Sequence, residues 1–230
     1  MLPADLRSAE AEAFEAIRAA LDAGQTGLWT VELRFEGLRF LPVALRLQAA
    51  LSGVGACPKL LCADAGATAL AQRDAPDWAT NIASLRDHMR LQQADGGSDG
   101  VLLLLTPSPA DYEAVEQVCA LHRGCVVLLN ASLEDAAIGI GSVARERRKG
   151  FLLELQTAYA LLPTGEGALR RAFPKPWQLY RSDPDGYRRV AEFDQKPDLE
   201  EQALAMAGEA GLGLNANLKV IDAFLEGLRR

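Results

Sequence analysis

Three stretches of the 230-residue chain carry residue types whose spacing could do chemistry. The first is Arg145-Glu-Arg-Arg-Lys149. At helical spacing Arg145, Arg148 and Lys149 share one face while Arg147 points elsewhere, so three cations can meet an acidic protein surface, anionic headgroups or a phosphate. Arginine suits forked contacts with carboxylate or phosphate oxygens, and Arg170, Arg171 and Lys175 would enlarge the patch if the fold brought them near. The competing reading is a solvated face paired with Glu146 or with acids elsewhere, and the sequence leaves both open.

The second stretch, Cys119-x-x-His122-x-x-Cys125, holds the soft ligands that zinc takes. Cys119 nevertheless falls on the apolar face of a helix and Cys125 begins an apolar strand, where small thiols are ordinary core residues, so no metal is expected. The third, Gly139-Ile-Gly-Ser-Val-Ala144, has the letters of a dinucleotide fingerprint. Those glycines must follow a strand directly so that a helix N-terminus meets the pyrophosphate, and here the strand ends near Asn130, about eight residues too early. A tight turn is the better reading, and no cofactor is expected. Glu134 and Asp135 could act as acid and base, but Ser132-Leu-Glu-Asp135 fits a capping box, which needs no substrate. His88 reads as part of an exposed polar helix, and neither it nor His122 has a legible nucleophile beside it, so no catalytic residue is assigned.

The elements that must position these residues centre on Val101–Leu105, an amphipathic helix opened by Ser108-Pro-Ala-Asp111, and Val126–Asn130. Strands apolar on both faces belong inside a sheet covered by helices, and right-handed crossovers open their ends on one edge, where α/β proteins hold ligands. That edge defines a possible crevice at Asp64, Thr106, Asn130 and Asp135, with Ser108 nearby. Upstream, the periodicity predicts a helix over Asp5–Asp22, a strand over Leu28–Phe35, a helix from Pro42 through Leu51, a strand at Lys59–Ala63 and a helix Ala65–Arg73 capped by Asp64. Asp74 to Gly100 reads as loop, short helix behind Ser84-x-x-Asp87, and second loop, and the whole stretch is expected to be the flexible region of the chain. Downstream, Phe151–Leu162, Trp177–Arg181 and Tyr187–Phe193 read as three strands, the last two joined by the turn Asp183-Pro-Asp-Gly186.

Beyond Pro197 come an acidic helix to about Ala207, a glycine-broken link and a final helix with Leu218, Ile221, Leu225 and Leu228 on one side. The expected architecture is a three-layer α/β domain over residues 1–197, with a mixed sheet parallel in its N-terminal part and antiparallel in its C-terminal part and helices on both faces. Residues 198–230 form a helical extension packed on that domain or on a partner.

With 49% hydrophobic and 24% charged residues the chain can bury a sizeable core. Its apolar runs are too short to span a bilayer and its start lacks a secretory core, so a cytoplasmic protein is expected, with Cys57, Cys62, Cys119 and Cys125 as reduced, buried thiols. A net charge of −7 argues against nucleic acid as partner. The charge is uneven, with Lys plus Arg minus Asp plus Glu giving 10 − 18 = −8 over residues 1–138, 11 − 7 = +4 over 139–196 and 3 − 6 = −3 over 197–230.

Six segments stand out as a series: Leu2-Pro-Ala-Asp-Leu6, Val31-Glu-Leu-Arg-Phe-Glu-Gly-Leu38, Asp64-Ala-Gly66, Leu128-Leu-Asn-Ala-Ser-Leu-Glu-Asp135, Gly139-Ile-Gly141 with the following basic helix, and Pro176-Trp-Gln-Leu-Tyr180 through Ala191-Glu-Phe-Asp-Gln195. Together they resemble a family of uncharacterised cyanobacterial and chloroplast proteins. That family's plant members include a low photosystem II accumulation factor. The resemblance implies an α/β domain in a photosynthetic setting and a role in assembling or maintaining photosystem II, with thylakoid or photosystem proteins as partners and at most peripheral contact with the thylakoid membrane; it brings no catalytic residues. The expected function is a non-enzymatic accessory protein docking through Arg145, Arg148 and Lys149. The alternative is an enzyme or binding protein for a phosphate-bearing small molecule in the strand-end crevice. Oligomeric state is left open.

Overall fold

Val101–Leu105 and Cys125–Leu129 are neighbouring parallel strands in which every residue except Val101 is buried, as their uninterrupted apolar character requires. A computed structural model describes residues 2–24, 26–134 and 150–211. In chain order the elements are α1 (Leu6–Ala23), β1 (Gly27–Leu33), α2 (Phe40–Gly53), β2 (Lys59–Cys62), α3 (Ala65–Asp74), β3 (Ile82–Ser84) and α4 (Leu85–Asp95). They continue with β4 (Val101–Leu105), α5 (Tyr112–Leu121), β5 (Cys125–Leu129), β6 (Leu155–Thr164), β7 (Gly167–Ala172), β8 (Trp177–Asp183), β9 (Gly186–Phe193) and α6 (Leu199–Gly211). Short 3-10 turns precede β3, α5 and β6.

One sheet of nine strands runs β3-β2-β4-β5-β1-β6-β7-β8-β9. Its first six strands are parallel and β6 to β9 are antiparallel, the mixed sheet expected from the sequence. Helices α1, α2 and α3 contribute to one apolar layer with Val31, Leu33, Leu103 and Tyr159, while α4 and α5 pack on the opposite face against Leu102, Leu104, Val126 and Leu128. Ala160, the neighbour of Tyr159 and therefore on the α4 and α5 side, packs with Leu169, Trp177 and Leu179 under Ala205 and Met206 of α6. The acidic helix beyond Pro197 thus lies on the antiparallel half of the sheet.

Local chemistry fixes several boundaries. Asp64 and Ser84 accept hydrogen bonds from Ala67 N and Asp87 N at 2.8 and 3.1 Å, the two helix caps expected there, and Asp5, read as the first helical residue, is instead the cap of α1 and accepts from Ser8 N at 2.7 Å. The hydroxyl and backbone N–H of Ser108 both donate to the Asp111 carboxylate, at 2.6 and 2.9 Å. Helix α1 is held on two sides by ion pairs. Arg46 of α2 forks onto Glu10 at 2.8 and 2.5 Å, and Arg170 of β7, nearly buried, meets Glu12 at 2.9 Å and Gln178 at 2.8 Å. The Tyr159 hydroxyl also donates to Glu12, at 3.0 Å. A buried guanidinium is tolerated only when its donors are satisfied in this way.

Three details differ from the sequence reading. Phe151–Glu154 is a 3-10 turn, with Phe151 set edge-on to Tyr112, and the strand begins only at Leu155. Residues 167–172 form an additional strand between β6 and β8, and residues 82–84 form a short edge strand inside the stretch read as loop and helix. Both lack a run of β-branched or aromatic residues, so only their neighbours specify them. In β7 Gly167 is obligatory, because a Cβ there would stand 1.9 Å from the Tyr180 carbonyl oxygen.

Candidate functional site

The order of strands creates two places where successive connections run in opposite directions along the sheet. The chain leaves β2 toward the edge and β4 toward the centre, and it leaves β1 toward β2 but β5 toward β6. Such switch points open a crevice outside the C-terminal strand ends.

At the β2 and β4 point stand Asp64 and Thr106. Asp64 is engaged in capping α3, its backbone oxygen also accepting from the Thr68 hydroxyl at 2.7 Å. Thr106 is exposed, and its φ of +45° turns the chain sharply out of β4 while its N–H donates to Leu129 O at 2.8 Å. Asn130 ends β5 at φ +50°, a left-handed conformation that asparagine tolerates better than most residues. Its side chain accepts from Leu33 N at 2.7 Å and donates to Leu33 O at 2.9 Å, so the amide supplies an extra rung between β5 and β1. Asp64 and Asn130 are therefore committed to the scaffold. Asp135, the Gly139–Ala144 stretch, Arg145, Arg147, Arg148 and Lys149 lie outside the described residues, as does the final helix with Leu218.

At the β1 and β5 point the crevice is real and polar. A hollow of about 240 Å³ is lined by Thr30, Glu32, Arg34, Ser132, Glu134 and Leu155 among others. The half-buried Glu32 carboxylate stands 3.6 Å from Arg34 Nε and 3.8 Å from Lys196 Nζ, ion pairs too long to be hydrogen bonds. Arg34 donates through Nη2 to Ala131 O at 2.7 Å. Of these residues the sequence reading singled out only Glu134; Glu32 and Arg34 lie on opposite sides of the β1 terminus, and nothing in their local pattern separates them from surface charges.

Two larger hollows adjoin on the α1 side of the sheet. They measure about 410 and 470 Å³ and share Pro3, Ala4, Phe35 and Leu161; Glu36 and Leu38 close one end, Pro163, Ala168 and Tyr187 the other. Phe35 is 40% exposed and Tyr187 57% exposed, both large apolar surfaces facing water. Phe35 follows the buried face of β1, carried by Val31 and Leu33, past the end of the strand.

The histidines are placed differently from expectation. His88 is buried rather than exposed, and Ser98 stands between the two rings, its Oγ 3.4 Å from His88 Nε2 and 2.8 Å from His122 Nδ1. Gln92 donates to the same oxygen at 2.6 Å, which leaves the hydroxyl to donate to His122 Nδ1 and puts the His122 proton on Nε2, facing Gly100 O at 3.2 Å. Burial pushes the His88 pKa down to about 4, with Lys59 and His122 adding to the effect, and lowers that of His122 as well. A serine and a base are thus adjacent, a pairing the sequence did not reveal. They sit, however, at the N-terminal ends of β4 and β5, opposite the strand-end crevices, and the serine oxygen already has three partners. This cluster joins α4, α5 and the sheet.

Cys62, Cys119 and Cys125 are buried, and burial pushes the Cys62 thiol up to about 11 and that of Cys119 to about 12, so both are held as unreactive thiols. Cys57, expected to be buried, is exposed. Among the described residues no three His, Cys, Asp or Glu side chains converge to hold a metal ion; Cys125 Sγ instead donates to Gly24 O at 3.4 Å. No helix of the described residues is long and apolar enough to cross a membrane.

Fold and site together define an α/β protein with an open mixed sheet, a small polar crevice at a strand switch point and an apolar hollow on its antiparallel half. Residues 3–204 match the family described as Domain of unknown function (DUF1995), and the chain belongs to that family. No curated protein matches the sequence.

Proposed function

We propose that this protein is a non-enzymatic accessory factor that holds an apolar segment of a photosystem II subunit, helping to assemble or maintain that complex at the thylakoid surface. The observation that carries this reading is the pair of adjoining hollows flanked by Phe35 and Tyr187, an apolar surface of the kind that marks protein contact. The photosynthetic setting rests on the sequence resemblance. In this reading Arg145, Arg148 and Lys149 add electrostatic attachment to an acidic or anionic surface.

Affinity capture from a photosynthetic cell extract at low and high salt tests it. Photosystem II subunits should be recovered, less at high salt, and F35A/Y187A should lose them; R145A/R148A/K149A should abolish the salt dependence. Recovery of the chain alone, or undiminished recovery with F35A/Y187A, refutes the reading.

A second reading, a binding protein for a phosphate-bearing small molecule, is favoured by the crevice at the β1 and β5 switch point with Arg34 on its wall. A thermal-shift screen with nucleotides and phosphorylated metabolites separates the two. Saturable stabilisation that is lost in R34A supports the second reading, and an unchanged melting temperature removes it.

A further inference from the structure

The two edges of the sheet are unequal. At one, β3 is three residues long; at the other, β9 runs for eight, and no described strand pairs with its outer side. A long open edge is a template for another strand unless charges or irregularities discourage it. β9 has both, in Arg188 and Arg189 and in a bulge where Leu179 pairs with Ala191 but Tyr180 pairs with Arg189, leaving Val190 as the extra residue.

The bulge also changes which side chains share a face. Through their partners on β8, Tyr187, Arg189 and Glu192 lie on the α1 side of the sheet. Arg188, Ala191 and Phe193 lie on the α6 side, and Val190 packs there too. In an unbroken strand, residues three apart would face opposite ways. Here Arg189 and Glu192 face the same way, close enough to form an ion pair at 2.5 Å.

We infer that β9 pairs antiparallel with β9 of a second copy of this chain, about a two-fold axis between Val190 and Ala191. Opposed residues in an antiparallel pair must share a face, and a symmetric pair centred between two residues violates that rule in a regular strand. The bulge removes the conflict. In this register Arg189 opposes Glu192 of the partner subunit on the α1 side, and Arg188 opposes Phe193 of the partner subunit on the other. Val190 meets Ala191 of the partner subunit, and Tyr187 stands across from Asp194 of the partner subunit. Arg189 therefore meets an anion of the other copy twice, once on each side of the axis, so this charge pair favours the register. The two-fold also brings both α6 helices onto one face of the joined sheet.

Equilibrium sedimentation of the full chain tests the pairing. The wild type should be a dimer at equilibrium, and R189E and E192R, both at exposed positions, should each raise its dissociation constant about tenfold or more, since each places like charges opposite one another. An equimolar mixture of R189E and E192R should form a mixed dimer, and the double variant R189E/E192R should dimerise with itself again. A monomeric wild type, single variants that dimerise as the wild type does, or a double variant that stays monomeric overturns the inference. The readout requires neither a photosystem subunit nor a small molecule, so its outcome is independent of the proposed function.

Discussion

Mild acid should destabilise this protein through a buried imidazole. His88 is 4% exposed, lies beside Lys59 and His122, and is held neutral with a pKa of about 4 against an ordinary 6.5. Its folded form therefore binds a proton less readily than the unfolded chain. The sign follows: stability is complete above pH 6.5, falls as the unfolded chain takes up a proton that the folded one refuses, and has lost the His88 contribution once pH reaches about 4. At 1.36 kcal/mol for each pH unit of the difference, that contribution is about 3 kcal/mol, a large part of the 5 to 15 kcal/mol that holds a typical domain. His122, also lowered, adds in the same direction. Asp5, Asp99 and Asp183 are shifted the other way, below their ordinary 3.8, so their stabilisation is lost only at lower pH. Urea unfolding at intervals between pH 7.5 and 4.5 measures the slope, and H88L, which fills the site without a titrating group, should flatten it by close to one proton. Retention of the full wild-type slope in H88L, or a nuclear magnetic resonance titration placing the His88 pKa near 6, would refute the reasoning.

Other outcomes follow from the same geometry. Asn130→Ala should destabilise by about 3 kcal/mol, through loss of both bonds to Leu33 and a left-handed backbone that alanine resists, whereas Asn130→Gly should recover about 1 kcal/mol of that in chemical denaturation. Glu12→Ala leaves the nearly buried Arg170 without its carboxylate and should cost about 3 kcal/mol; the paired change E12L/R170M should cost less than E12A alone, because no buried charge is then orphaned. In the native protein iodoacetamide should label Cys57 within minutes and leave Cys62 and Cys119 unmodified until denaturant is added, as mass spectrometry of the digested chain would show.

How much of the fold was legible depended on whether an element carries its own instruction. Val101–Leu105 and Cys125–Leu129 did, because an unbroken apolar strand has only one kind of environment open to it. So did the helices behind Asp5, Asp64 and Ser84, whose caps are local, and the hairpin between β8 and β9, whose turn is. Gly167–Ala172 did not. Its Arg170 reads as a surface cation until Glu12, 158 residues away in sequence, is seen to meet it. The burial of His88 was hidden in the same way, since α4 is polar and only its contacts with Ser98 and α5 take the imidazole out of water.

The candidate site was the least legible part, and the reason is that a polar residue at a strand end has two uses the sequence does not distinguish. Asp64 and Asn130 occupy the edge where α/β proteins bind ligands, yet one caps the start of a helix and the other extends a sheet by one rung. What borders the β1 and β5 crevice instead is Glu32, a carboxylate inside a strand that otherwise alternates in the ordinary way, held between Arg34 and Lys196 without a hydrogen bond to either. Phe35 and Tyr187 were equally silent, because an apolar residue just past a strand end or just after a turn signals nothing until the surrounding chain fails to cover it. In β9 a single extra residue decides which charges share a face. The pattern of one strand, read alone, puts Arg189 and Glu192 on opposite sides; only the register against β8 puts them together, and with them the symmetry that a second copy can match.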